Sequence, residues 1–414
     1  MIYKNKYNKM NLRNIFLSCL LIGTAIRIPI SETATISLSE ILLALALMFF
    51  PFYLRGGAIK LSKFEIKLLP LGFVVLSLLA IESLINFHRI ASIFLLFEYL
   101  FIGILFLLIF KMDFNHRIYY KALITFSLYL AINTIYFNVL NYEAGHISNI
   151  LKFGSGNYTS AIMLLMIPII YLYIRENVVP KLNSLAYLSV VLMTIGIIFS
   201  GSRSNIVVLL FQIFVYTFLL KNSIAKRAKI IIAVMLISII VYSVVLFINP
   251  ELSFVIERYL MFFTKNSNER NDILYSDIIR KHLIMEAREL ISENKFWGTG
   301  FPRLPHSDIP IHNFVYEIIL GIGYIGFTVY ALYLLFFLGG IFKRISRVNS
   351  IRLLYFVMIV SFLSISWVHP FMTTGKEFTW IFWISVVAFY NYSLQFENSK
   401  NSKLTQKIVF SHIR

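Results

Sequence analysis

Long apolar runs separated by short polar segments fill most of the chain. A helix needs roughly 20 apolar residues to cross about 30 Å of hydrocarbon, and about twelve runs approach that length. They lie near 14–31, 38–54, 67–86, 91–110, 119–140, 157–174, 184–200, 204–220, 229–248, 312–341, 352–369 and 377–394. The pattern predicts an all-α, polytopic integral membrane protein whose residues 1–414 form one domain.

A charged stretch interrupts the apolar pattern between the ninth and tenth runs. Residues 249–311 hold nine of the 20 acidic residues and eight of the 38 Lys and Arg residues. Within it, Asn271 to Ser292 repeats apolar positions with a helical period behind an Asn-Asp start, which is typical of an amphipathic helix. We expect this helix to lie at the outer membrane–water interface. Its expected apolar contacts are Leu274, Ile278, Met285 and Ile291.

Composition and charge fix the class and the orientation. A chain with 58% hydrophobic and 14% charged residues and a mean hydropathy of +0.77 is not a soluble globule. Its net charge of +18 does not indicate nucleic acid, because 25 of the 38 basic residues fall in the seven predicted inward segments and four in the five short outward loops. This positive-inside bias places both termini in the cytoplasm and loop 249–311 outside. We expect the first span to be an uncleaved anchor.

Missing motifs limit the chemistry. The single cysteine, Cys19, leaves no disulfide to order the loop, which must pack on the bundle. Metal-ligand spacings, a P-loop, an Asp-x-Asp motif and a Gly-x-Ser-x-Gly elbow are absent from the sequence, so no metal or cofactor is expected. Group transfer outside the cytoplasm needs a donor that is already activated, and polyprenyl-pyrophosphate sugars meet that need. Such a donor requires cations for its pyrophosphate and a base for the acceptor hydroxyl.

The candidate base is His312, which with Asn313 follows the charged loop and opens the tenth span. Imidazole is the side chain best suited to proton transfer near neutral pH, although a histidine that only donates a hydrogen bond is the simpler alternative. Glu317 follows within two turns. Burying an ionisable group there costs free energy, so such a residue usually has a function or an ion-pair partner. A pairing with a neighbouring span and a functional role are both open for Glu317.

The candidate cations are Arg203 and an arginine of the loop helix. Arg203 lies in the short hairpin Ser200–Ser204, and either a boundary arginine or a cation facing the site of His312 fits that place. On the loop helix, Arg280 or Arg288 is suited to grip phosphate, because a guanidinium binds it bidentately. A solvated helix face is the alternative for both.

Glycines mark the segment that follows the loop helix. The run Phe296 to Pro302 (FWGTGFP) is interpreted as a tight turn that returns the chain to the membrane, with Phe296 and Trp297 as interfacial anchors. Further on, Gly321, Gly323 and Gly326 are expected to permit close helix packing.

Several segments together resemble the O-antigen polymerase (Wzy) and O-antigen ligase superfamily. They are GSGNYTSAIMLLMIPIIYL at 154–172, SGSRS at 200–204, FWGTGF at 296–301, and His312-Asn313 leading into EIILGIGYIGF at 317–327. The resemblance covers the middle and later half of the chain, in the family's order.

The resemblance implies a metal-independent glycosyltransferase with a GT-C-like fold at the outer face of a bacterial inner membrane. Arg203 and a loop arginine would bind the pyrophosphate of an undecaprenyl-linked glycan, with Arg280, Arg288 and Arg303 competing for the second role. His312 would assist the acceptor hydroxyl, and Asn313 and Glu317 would contact substrate. Candidate partners are the lipid bilayer, undecaprenyl-pyrophosphate-linked glycans, a chain-length regulator and a flippase.

The favoured function is an O-antigen polymerase. Its alternative within the superfamily is the ligase, which transfers finished polymer to lipid A-core. A secondary transporter is a rival from another class, because Glu82, Glu98 and Glu317 lie in predicted spans. The sequence shows no inverted repeat of the kind that marks many transporters.

Overall fold

A computed structural model describes seven longer stretches of the chain: 115–137, 156–220, 223–247, 271–299, 313–345, 349–368 and 380–393. It also describes positions 19, 21–23, 27–29, 35–38, 41–42, 304, 311 and 378. The helices are α1 (His116–Ile135), α2 (Gly156–Arg175), α3 (Asn183–Phe199), α4 (Arg203–Phe214), α5 (Ile224–Phe247), α6 (Asn271–Glu293), α7 (Phe314–Arg344) and α8 (Asn349–Val368). A 3-10 turn (Pro180–Leu182) precedes α3, a π-helix (Val215–Leu219) continues α4, and residues 380–393 are helical.

The predicted helical membrane protein is confirmed. Among the described residues, six helices are long and apolar enough to cross a membrane, and α4 with its π-helix forms a shorter apolar helix. Helix boundaries agree with the predicted spans to within a few residues, as for 156–175 against 157–174. The four predicted spans before residue 115 fall mostly outside the described residues, so the total of twelve stays a prediction.

The described residues are mostly helical, as the predicted all-α class requires, with one exception near the N-terminus. Two short strands, β1 (Arg27–Pro29) and β2 (Thr35–Ser37), pair antiparallel, with Arg27 opposite Ser37. The predicted first span, 14–31, therefore cannot be helical to its end. Pro29 supplies a physical reason, because proline lacks the amide hydrogen that a helix interior needs.

α2 is the centre of the described core. Every side chain from Thr159 to Ile174 is buried, and α1, α3, α4 and α8 all pack against this helix. A helix that is hydrophobic on all sides is expected to be surrounded in this way. The position of α2 also sets the position of α4, which begins with the candidate residue Arg203.

Two side-chain amides tie α4 to α2. Pro168 lies inside α2 and cannot donate to the carbonyl of Leu164. Gln212 of α4 replaces that donor: its Nε2 lies 2.8 Å from the Leu164 carbonyl oxygen and 2.8 Å from Ser361 Oγ of α8. Near the start of α4, Asn205 Nδ2 donates to the Asn157 carbonyl oxygen at 2.9 Å and to Ser160 Oγ at 2.6 Å.

These bonds predict that Gln212 stabilises the bundle. Gln212→Leu leaves a buried carbonyl and a buried hydroxyl without their donor, which we expect to lower the free energy of unfolding by about 1–2 kcal/mol. Unfolding by SDS in mixed micelles measures the change. Leu210→Ala is the matched control, because Leu210 is 57% exposed on the same helix. A Gln212→Leu protein as stable as the wild type would contradict the assignment.

Candidate active site

The loop helix α6 packs on the first part of α7. Its observed range, Asn271–Glu293, confirms the predicted helix to within one residue. Leu283, Ala287 and Ile291 form its buried stripe, four residues apart, and pack in one cluster with Ile319 and Leu320 of α7. The loop helix is thus ordered by packing, as the lack of a disulfide required.

The face of α6 that packs on α7 contains only part of the predicted apolar contacts, and contact of the others with a membrane stays a prediction. Ile278 and Met285 are 57% and 61% exposed, and the side chain of Leu274 lies outside the described residues. Of the three side chains that the structure describes, Ile291 is the one that is buried. The helix is rotated so that Ala287 faces α7, because a small side chain lets two helices approach closely.

α7 is broken at its tenth residue. Gly323 has φ 64° and ψ −176°, outside the helical region. A break frees backbone groups that would otherwise bond within the helix. The segment Lys295–Thr299, called the clamp below, supplies their partners. Tyr324 N donates to the Lys295 carbonyl oxygen at 2.9 Å, Ile325 N to that of Phe296 at 3.4 Å, and Thr299 N to that of Leu320 at 2.6 Å.

Two glycines make the clamp possible. Gly298 has φ 81°, and a Cβ built on it would lie 2.5 Å from the backbone nitrogen of Gly323. A Cβ on Gly323 would overlap the Phe296 carbonyl. The segment is therefore more than a return turn, and the close approach at Gly323 is to the clamp backbone. The Phe296 and Trp297 side chains are 65% and 54% exposed, and their role as anchors stays a prediction.

The start of α7 carries two buried polar side chains, Asn313 and Glu317. Asn313 caps the helix: its Oδ1 accepts from Val315 N at 3.0 Å and from Tyr316 N at 3.3 Å. Asn313 was predicted to contact substrate. Its side-chain oxygen, Oδ1, already accepts two hydrogen bonds as the helix cap. Glu317 is fully buried one turn further on, where a helix N-terminus favours a negative charge.

Arg288 of α6 reaches this turn directly. Its Nε lies 2.9 Å from Tyr316 Oη, and its guanidinium carbon lies 5.4 Å from the centre of the Tyr316 ring. Arg288 is exposed, whereas Arg280, about two turns earlier in α6, is half-buried. The structure therefore brings Arg288, Asn313 and Glu317 into one neighbourhood.

Arg203 lies at the first position of α4, after the turn that ends α3. The predicted hairpin Ser200–Ser204 is confirmed, with Gly201 at φ 67°. Ser202 N donates to Ser200 Oγ at 3.3 Å, and the hydroxyls of Ser202 and Ser204 lie 3.3 Å apart. A cation gains nothing from the helix dipole at this end, so helix stability does not account for Arg203.

Two sequence candidates, His312 and Arg303, lie outside the described residues. The neighbours of His312 in the chain, Ile311 and Asn313, are both buried. Tyr316 and Thr299 were missed as candidates. Their partners lie 28 and 21 residues away in the chain, so no local sequence pattern could reveal these contacts.

The fold and this arrangement define a polytopic helical membrane protein with a charged loop helix clamped to a broken span. Residues 188–331 match the family model described as O-antigen ligase. This stretch contains Arg203, α6, the clamp and the first part of α7, so the resemblance to the O-antigen polymerase and ligase superfamily is confirmed there. No curated protein matches the chain.

The close contact at Gly323 predicts that one added methyl group weakens the packing of α6 on α7. We expect Gly323→Ala to destabilise the α6–α7 contact by roughly 1–3 kcal/mol, because alanine rarely adopts a positive φ and its Cβ overlaps the clamp backbone. Trypsin should then cleave faster after Lys295, whose carbonyl is released when the clamp opens.

Gly339→Ala is the control, since no atom lies within 4 Å of a Cβ at that position of the same helix. Equal cleavage rates after Lys295 in the two variants would show that the clamp does not hold the loop.

Proposed function

We propose that the protein is an O-antigen polymerase at the outer face of the bacterial inner membrane. It transfers a growing undecaprenyl-pyrophosphate-linked polysaccharide to the non-reducing end of another lipid-linked repeat unit. The observation that supports this most is the meeting of an exposed arginine of α6 with the polar first turn of α7. Both elements lie in the stretch that is similar to the O-antigen ligase family.

The transfer requires one bond to form and one to break. The acceptor hydroxyl oxygen attacks the anomeric carbon of the donor sugar, and the bond from that carbon to the pyrophosphate oxygen breaks. Undecaprenyl pyrophosphate leaves with the electron pair, and His312 takes the proton of the hydroxyl. Positive side chains favour this step because they stabilise the charge that develops on the leaving group.

Arg203 and an arginine of α6 are the proposed cations. A guanidinium keeps its charge at any working pH and offers paired donors to phosphate oxygens, so two of them can hold a pyrophosphate without a metal ion. Arg203 is fixed through α4, which the buried Asn205 and Gln212 amides tie to α2. The arginine of α6 is fixed through the packing of α6 on α7.

The ligase reaction is the second candidate. The description of the matching family model, O-antigen ligase, favours it directly. The chemistry at the donor is the same in both reactions, and only the acceptor differs: a lipid-linked repeat unit for the polymerase and lipid A-core for the ligase. The proposed cations and base serve either acceptor.

Deletion of the gene separates these functions. Loss of a polymerase should leave lipopolysaccharide core capped with one repeat unit, because ligation of single units continues. Loss of a ligase should leave bare core while lipid-linked polymer accumulates. Gel analysis of lipopolysaccharide reads out both patterns, and unchanged ladders would contradict both functions.

The base assignment predicts that His312→Ala lowers turnover by roughly 10²–10⁴-fold, the usual contribution of a positioned acid or base. Donor binding should survive, since His312 acts on the acceptor. Polymerisation of a synthetic lipid-pyrophosphate repeat unit in detergent, with a chelator present, measures the effect.

His306→Ala is the control, because His306 lies in the same predicted loop between two prolines and should change turnover little. Turnover of His312→Ala within a few-fold of the wild type would refute the base assignment. Loss of wild-type activity in chelator would refute the metal-free mechanism.

A further inference from the structure

The contact between Arg288 and Tyr316 joins an exposed side chain to one that is held by packing. The Tyr316 ring is partly buried and packs against the α6–α7 cluster, so its hydroxyl has a defined position. Arg288 is exposed. An exposed arginine normally samples many rotamers, and ordering it on binding lowers affinity for a ligand.

The contact with Tyr316 uses Nε of the guanidinium and leaves its two Nη groups for a ligand. Nε donates to Tyr316 Oη at 2.9 Å, and the ring face supports the cation at 5.4 Å. Among the residues that the structure describes, Tyr316 is the partner of Arg288 in each of its interactions. The two Nη groups carry four N–H donors, the arrangement that binds two phosphate oxygens at once.

Stability alone does not explain this contact. α6 and α7 are already joined by a buried apolar cluster and by the clamp, and an exposed polar contact adds little to such an interface. The contact does, however, decide where one cation of α6 stands relative to the first turn of α7, which holds Asn313 and Glu317.

We propose that Tyr316 is a positioning residue that holds Arg288 ready to bind the donor pyrophosphate. This inference rests on the proposed function. Tyr316 need not touch the substrate, because it acts through the orientation of the guanidinium.

A double-mutant cycle in the full-length protein tests the inference. The affinity of the purified protein for undecaprenyl pyrophosphate in detergent is measured for wild type, Tyr316→Phe, Arg288→Ala and the double variant, with undecaprenol as the probe that lacks pyrophosphate. Phenylalanine keeps the ring and removes the hydroxyl. Tyr324→Phe is the matched control, because Tyr324 lies on the same helix and its ring is 50% exposed.

We expect Tyr316→Phe to weaken pyrophosphate binding roughly 3- to 10-fold, the effect of one hydrogen bond that orients a charged group. Arg288→Ala should weaken it roughly 10- to 100-fold. Tyr316→Phe should have no further effect in the Arg288→Ala background. Undecaprenol binding and the melting temperature should not change, a result that a merely structural tyrosine would not give.

Three outcomes would overturn the inference. The first is an unchanged affinity in Tyr316→Phe together with a loss in Arg288→Ala, which leaves the proposed function intact. The second is an equal loss from Tyr316→Phe in both backgrounds. The third is wild-type affinity in Arg288→Ala, and Arg203→Ala then shows whether a pyrophosphate donor is bound by the protein at all.

Discussion

A helix that breaks inside an apolar bundle must find partners for the backbone groups that it releases, and α7 finds them in the clamp. Water is scarce in such surroundings, so each unpaired amide or carbonyl would be expensive. The break at Gly323 therefore exists only together with Lys295–Thr299. Because the clamp directly follows α6, the same bonds fix the loop helix against α7. The place of Arg288 beside Tyr316 follows from this.

The break also separates α7 into two parts with different surroundings. Residues 324–344 are about 31 Å long as a helix, which is enough to cross the hydrocarbon without the first part of α7. The first part, with Asn313 and Glu317, packs with the loop helix instead. A buried carboxylate is less anomalous there than in a continuous span, because a capped helix N-terminus lies beside it. The polar side chains Asn313 and Glu317 thus lie before the break in α7, and an apolar stretch long enough to cross a membrane lies after it.

Local sequence patterns were enough to predict the helices. They could not predict contacts between residues that are far apart in the chain. Apolar runs located α2 and α3 to within a few residues, and the turn at Ser200–Ser204 and the limits of α6 were also correct, because helix length and end signals are local. The side chains of α6 that pack on α7 could not be predicted, since Ile278 and Ile291 look alike until the partner helix is known. The break at Gly323 and the Arg288–Tyr316 contact depend on residues far apart in the chain. The hairpin of β1 and β2 is local and was hidden in an apolar run.

The residues of the clamp differ in how strictly their side chains are constrained. It bonds through the carbonyl oxygens of Lys295 and Phe296, and every amino acid supplies such an oxygen, so the clamp itself does not require those side chains. Gly298 and Gly323 are required for a steric reason, because any Cβ would meet the opposing backbone. A loop without a disulfide can therefore be held firmly by two glycines and a few backbone bonds.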